Sequence, residues 1–200
     1  MALTDHHDVF IGSTGDGHTF LVLNRRIRGA ERLLTEAGFT ARSHHGRTVY
    51  LLPPSTTKDA FERASVAEYH LLAHTMDFVD LAATTRYSAA GPTPEPDVHF
   101  RFADGAATAT TGVNRAGVVL TLHGFTPGTA GTPYTLAPGL DERDAVNTVA
   151  RAEAHLYAEG FGVSIDLGIA TPEAIPPAPG RTATAAPNTP APQHSRPRTR

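Results

Sequence analysis

The pattern Ala-Glu-x-x-Leu-x-x-x-Gly-Phe occurs twice, at Ala30, Glu31, Leu34, Gly38 and Phe39 and again at Ala152, Glu153, Leu156, Gly160 and Phe161. Each copy reads as the end of a helix. A glycine just past the last turn takes the left-handed backbone that an L side chain resists, and the phenylalanine after it folds back on the leucine five residues earlier. The pattern therefore fixes two helix ends and two strand starts, with Gly38 and Gly160 as caps and Phe39 and Phe161 as latches. It also raises the expectation that the chain contains two related halves.

Around these stops the hydrophobic pattern supplies the remaining elements. Two β-prone runs, 8–11 and 19–23, flank a glycine-rich turn at 12–17, which is hairpin chemistry. Ile27, Ala30, Leu33, Leu34 and Ala37 recur at helical spacing, with Asn24 placed to cap the start. A second hairpin follows about His45-Gly46, so residues 1–54 are expected to form a ββαββ unit. Residues 55–88 begin with a long run free of Gly and Pro and predict one long helix, about 42 Å if 28 residues are unbroken at 1.5 Å each. Residues 89–96 are proline-rich and read as a linker.

Residues 97–170 form a second, β-rich unit. Asp97-Val98-His99-Phe100 followed by Asp104-Gly105 echoes Asp8-Val9-Phe10 followed by Asp16-Gly17. Residues 117–122 are its strongest predicted strand, 140–158 its helix and 163–169 its last strand. Residues 171–200 hold eight of the chain's 16 prolines and few large apolar side chains, a composition that predicts a disordered tail. The fold class is α+β: one or two ββαβ-like units with a mainly antiparallel sheet, a long connecting helix and a disordered C-terminal tail.

Charge narrows the function classes. Setting the tail aside leaves 13 basic against 19 acidic residues, which disfavours a general nucleic-acid surface. The basic residues are all Arg except Lys58, a bias that suggests a high-G+C bacterial genome. The absence of cysteine excludes disulfides, thiolate metal sites and cysteine nucleophiles. No apolar run approaches the roughly 18 residues of a membrane helix. The expectation is a cytoplasmic protein with no membrane partner.

Three constellations carry candidate chemistry. On the expected long helix His70, His74 and Asp77 stand at i, i+4 and i+7, a spacing at which two imidazoles and a carboxylate share a face and grip zinc or another divalent metal. The glutamate that a metalloprotease helix places after its first histidine is replaced by Leu71, and a solvated polar face accounts for the same spacing. Glu68 falls within the apolar stripe of that helix, where a buried carboxylate is costly unless it is functional or reaches water along its stem, and it is the candidate catalytic acid or base. Arg25, Arg28 and Arg32 align on one side of the first expected helix, near its positive end, where an anion would relieve them. The glycine-rich turn at 12–17 lacks the Lys-Ser/Thr and helix of a phosphate loop and reads as a hairpin turn.

No complete catalytic set and no convincing cofactor loop emerges. The leading expectation is a small accessory or regulatory protein acting as a non-catalytic protein-interaction module, with a protein partner or a homodimer along the long helix and no cofactor. The alternatives are a metal-dependent enzyme built on His70, His74 and Asp77, and a nucleic-acid-associated protein using the Arg25, Arg28 and Arg32 face.

Overall fold

The computed structural model describes residues 2–54, 57–82, 95–103, 105–129, 132–137 and 139–180. After a short 3-10 turn at Leu3–Asp5, the first half runs β1 (Val9–Ser13), β2 (Thr19–Leu23), α1 (Ala30–Glu36), β3 (Thr40–His44), β4 (Arg47–Leu52), α2 (Thr57–Leu72) and β5 (Phe78–Asp80). The second runs β6 (Val98–Ala103), β7 (Ala106–Thr111), α3 (Asn114–Leu122), β8 (Phe125–Thr126), β9 (Tyr134–Leu136), α4 (Glu142–Ala158) and β10 (Val163–Asp166). The fold is α+β, as the sequence indicates. No helix among the described residues is long and apolar enough to cross a membrane.

The two halves have the same topology. The first sheet has the order β3-β4-β2-β1-β5 and the second, read in the matching direction, β8-β9-β7-β6-β10. In both, the last strand lies parallel to the first while the other three pairs are antiparallel, so the sheets are mixed. Strand register then dictates which residues correspond. Val9 opposite Phe78 matches Val98 opposite Val163, and Tyr50 opposite Leu21 matches Tyr134 opposite Ala109.

This correspondence exposes repeats that the Ala-Glu…Gly-Phe pattern conceals. Leu34-Thr35-x-x-Gly38-Phe39-Thr40 at the end of α1 matches Leu120-Thr121-x-x-Gly124-Phe125-Thr126 at the end of α3. Ala67-Glu68-x-His70-Leu71 on α2 matches Ala152-Glu153-x-His155-Leu156 on α4. The pattern read from sequence pairs α1 with α4, two helices that do not correspond; the Asp-Val echo at 8–9 and 97–98 pairs the right strands. The matched threonines even repeat a detail, with Thr35 Oγ1 donating to Glu31 O at 2.8 Å and Thr121 Oγ1 to Gly117 O at 2.9 Å.

The helix stops themselves form as expected. Gly38 and Gly160 have φ of 92° and 97°, and Phe39 N–H donates to Leu34 O and Phe161 N–H to Leu156 O, the six-to-one bond of a Schellman end. The hairpin about His45-Gly46 also forms, with both residues at positive φ, as a two-residue turn between His44 and Arg47 requires.

Other expectations are corrected. The long helix stops at Leu72 without Gly or Pro, because the chain must turn back to lay β5 beside β1. Thr75 secures that turn, its Oγ1 donating to Asp8 at 2.8 Å. Residues 117–122, expected as a strand, belong to α3: Ala116, Val119 and Leu120 are buried at helical spacing. The first helix starts at Ala30 rather than near Asn24, whose side-chain amide instead donates to Thr4 O and His7 O. Of the expected linker 89–96, residues 89–94 lie outside the described residues, as do 181–200 of the expected tail. Residues 171–180 pack on the first half, with Ile175 buried, His44 Nε2 bonded to Ile175 O at 2.8 Å and Arg47 donating to Pro176 O.

Alternation assigns the core. Val9, Ile11, Leu21, Tyr50 and Leu52 face α1 and α2, packing on Leu34, Ala67 and Leu71. The opposite face of the same sheet, Phe10, Phe20, Val22 and Val49, joins one continuous cluster with Val146 of α4, Leu167, Ile169 and Ile175. Leu167 rests over Gly12, where any side chain would overlap it. The second sheet buries only the face toward α3 and α4; its strand β6 alternates buried and exposed throughout.

Valine in place of Gly38, Gly124 or Gly160 is expected to lower unfolding free energy by about 1 kcal/mol or more through left-handed strain. At Gly38 the nearest atoms belong to the end of the exposed, flexible Arg63 side chain, which can swing aside, so the left-handed backbone sets the cost there as well. Chemical denaturation measures this, and midpoints equal to the parent's would refute the helix-stop assignment.

Candidate binding cleft

The structure separates the three constellations. His70 is exposed on α2 with its ring 5.8 Å from that of Tyr69. His74 lies beyond the helix end, also exposed. Asp77, further along, accepts from His7 Nδ1 at 2.9 Å and from Arg143 of α4 at 2.7 Å. The helical register that would align the three ends at Leu72, so they do not converge. No group of three or more His, Asp or Glu side chains suited to a metal ion occurs among the described residues.

Asp77 is instead part of a clamp between the N-terminal segment and α4. Arg143 also donates to His6 O, and His6 Nε2 lies 2.9 Å from Glu142. His7 and Asp77 have the spacing of a catalytic acid-imidazole pair, yet His7 is buried and its Nε2 has no partner. A buried Nε2 meets no substrate, so the pair serves packing.

Glu68 lies where α2, β5 and α4 meet, in a cleft of about 410 Å3 shared with Asp80, Arg151 and Glu153. Glu153 occupies on α4 the position that Glu68 occupies on α2. Burial, and then the charge of Asp80, pushes the Glu153 carboxyl up to about 7, and the same two causes raise Glu68. Glu153 is therefore more readily protonated folded than unfolded, where 4.5 is its ordinary value. Its stabilising contribution is complete below about pH 4.5 and is lost as the pH rises through about 7. Glu153→Gln is expected to gain stability over the parent at pH 8 by roughly 2 kcal/mol, after allowance for residual solvent screening. The gain should shrink toward pH 5, and urea denaturation across that range checks it; a pH-independent difference would refute the shift.

The third constellation lines a cleft of about 1530 Å3 between α1, the segment before it, the β3–β4 turn and Ala178-Pro179. Five arginines face it: Arg25, Arg26, Arg28, Arg32 and Arg47. Only Arg32 is on α1. Arg25 and Arg28 precede the helix, so the single helical face read from sequence does not exist and the residues meet through the fold of the connection. Arg26 joins them, and Arg47 comes from β4, a position that no local sequence signal connects to the others.

These arginines differ in commitment. Arg47 is nearly buried; its Nη2 donates to Asp5 Oδ1 at 2.6 Å and to Asn24 Oδ1, and its Nη1 to Thr4 and Pro176. It is the rear wall, holding the N-terminal turn, the β2–α1 connection and the C-terminal run together. Arg25 pairs with Asp8, whose carboxyl is held below the usual range by the Thr75 hydrogen bond and then by Arg25. Arg32 stands 3.6 Å from Glu36. Arg26 and Arg28 are exposed and have no carboxylate partner among the described residues.

The duplicated half offers an internal comparison. Counted back from the matching helix ends, Arg26, Arg28 and Arg32 correspond to Gly112, Asn114 and Val118. Strand register gives Thr111 to Leu23, so the second connection is two residues shorter and has no counterpart of Arg25. A hollow of about 300 Å3 lies beside Tyr134 and Thr111, the counterparts of Tyr50 and Leu23, and is lined by threonine, glycine, proline and Tyr134 but by none of the positions that match the arginines. One scaffold is thus built with and without the arginines, and they are not a requirement of the fold. The glycine-rich turn binds no such group: Gly15 and Asp16 N–H donate to Ile169 O and Ala170 O. No protein-family model, curated protein or solved structure matches this chain.

Proposed function

We propose that the protein is a non-catalytic interaction module that holds an anionic partner in the Arg25, Arg26, Arg28 and Arg32 cleft. The observation that carries this reading is the gathering of arginines in a cleft of one half, with uncharged Gly112, Asn114 and Val118 at the matching positions of the other. Cations gathered on a chain of net charge −3 act locally, drawing an anion to one place rather than to the whole surface. Guanidinium supplies paired donors for carboxylate or phosphate oxygens. Arg26 and Arg28 make these contacts, while Arg47 keeps the walls in place.

Retention on immobilised heparin, a generic polyanion, tests it. The parent is expected to elute at higher salt than Arg26→Glu/Arg28→Glu, with equal melting temperatures because neither side chain has an ion-pair partner among the described residues. Identical elution of the two proteins would overturn the reading.

A second contact surface supports self-association. On α2 Val66 and Tyr69, and just beyond it Met76, are 47%, 77% and 87% exposed, and an exposed apolar stripe marks a contact site. Glu62 lies near the start of this stripe and His70 and His74 near its end, so an antiparallel second copy sets acid against imidazole. Tyr69→Lys/Met76→Lys is expected to abolish concentration-dependent dimer formation in sedimentation velocity; a parent that sediments as a monomer at 100 μM, taken as about the concentration at which a weak contact shows, would exclude it.

A further inference from the structure

We infer that the occupant of the arginine cleft is an extended acidic peptide segment of a partner protein; this rests on the cleft being the binding site. The cation count decides against nucleic acid. Three of the five guanidinium groups are already paired with Asp5, Asp8 and Glu36, leaving Arg26 and Arg28 without a carboxylate partner among the described residues, and Glu31 in the lining lowers the net charge of the cleft further. Two uncommitted cations match two carboxylates, whereas duplex binders neutralise about 6–10 phosphates. The rest of the body is acidic and weakens the hold on a long polyanion relative to a short peptide, which samples only the cleft.

The lining agrees. Leu23, Ile27, Tyr50 and Pro179 share the cleft with the arginines, an apolar content that peptide side chains use and a phosphate backbone does not. Along 24–29 only Ile27 is half-buried, set between the exposed Arg26 and Arg28, so an apolar contact lies between the two cations, as a peptide with acidic and apolar side chains requires. At about 1530 Å3 the open cleft also exceeds the roughly 300–1,000 Å3 of small-molecule pockets, as a site for a chain segment should.

The experiment uses the full chain and two immobilised decapeptide libraries, one with glutamate fixed at two alternate positions and the rest randomised, the other with glutamine there. A fluorescent random-sequence DNA duplex is the third probe. The glutamate library is expected to retain the protein at least 10-fold better than the glutamine library. Arg26→Ala/Arg28→Ala should lose that preference, and Arg26→Lys/Arg28→Lys should restore part of it, charge without the fork. Affinity should fall with salt at a slope of about two or less, one unit per contact. Because every variant keeps the C-terminal arginines, their contribution cancels. Duplex binding that depends on Arg26 and Arg28 and falls steeply with salt, without glutamate preference, would overturn the peptide while leaving the cleft as the site. Binding of every probe unchanged in Arg26→Ala/Arg28→Ala, or binding of none, would overturn both.

Discussion

The apolar second face of the first sheet is the constraint on which the molecule depends. A sheet with helices on one side normally leaves the other to water, yet Phe10, Phe20, Val22 and Val49 are all within 1% of complete burial. At about 2 kcal/mol for each large side chain, exposing them would consume much of the 5–15 kcal/mol by which a domain is stable. The face must be covered, and α4 with the run 167–175 covers it. The two halves therefore form one body rather than independent units. The same requirement brings residues 171–180 across the first half, and from there Ala178 and Pro179 become a wall of the arginine cleft.

The copy of this sheet solves the problem differently. At the positions of Phe10, Phe20, Val22 and Leu51 the second sheet carries His99, Thr108, Thr110 and Thr135. These are polar, and that face meets solvent. Stacking thus ends after two units, as terminal repeats with a polar outer face end a repeat array. Duplication supplied the scaffold, and substitution on one sheet face determined how many units pack.

Much of this was legible in the sequence, and what was missed shares a physical cause. Local signals held: the Gly-Phe stops, the His45-Gly46 hairpin, and the helix expected at 140–158, which runs Glu142–Ala158 with the Asp141 side chain accepting from Asp144 N–H at 2.7 Å. Signals whose meaning depends on distant partners did not. Nothing local ends α2 at Leu72; the bond from Thr75 to Asp8, 67 residues away, does. The run 117–122 looks like a strand because Val118-Val119-Leu120 is β-prone, but Gly117 packing beneath Tyr134 decides for helix. Pairing Gly38-Phe39 with Gly160-Phe161 failed as a repeat because a Schellman end suits any helix that turns into a strand, and Gly124-Phe125 is a third. The two motifs that do correspond, 85 or 86 residues apart, were present and would have exposed the duplication. Arg47 could not have been added to the cleft, since only β4 pairing with β2 brings it behind Arg25 and Arg28.

Duplication within one chain also separates scaffold from specialisation. Glu68 is unusual as a single residue, a carboxylate on an apolar stripe. Beside Glu153 it becomes half of a repeated feature: both lie at the same place on equivalent helices, and both have raised carboxyl pKa from burial and Asp80. A feature built twice is explained by the unit itself, here by glutamate stems lying along the core while the heads reach an open cleft, as long amphipathic side chains do. The arginines have no such explanation. They cost local repulsion, three of them need carboxylate partners, and the other half folds with Gly112, Asn114 and Val118 in place of Arg26, Arg28 and Arg32. A charge cluster that the scaffold does not need and the internal copy omits is what motivates the proposed anionic partner at Arg26 and Arg28.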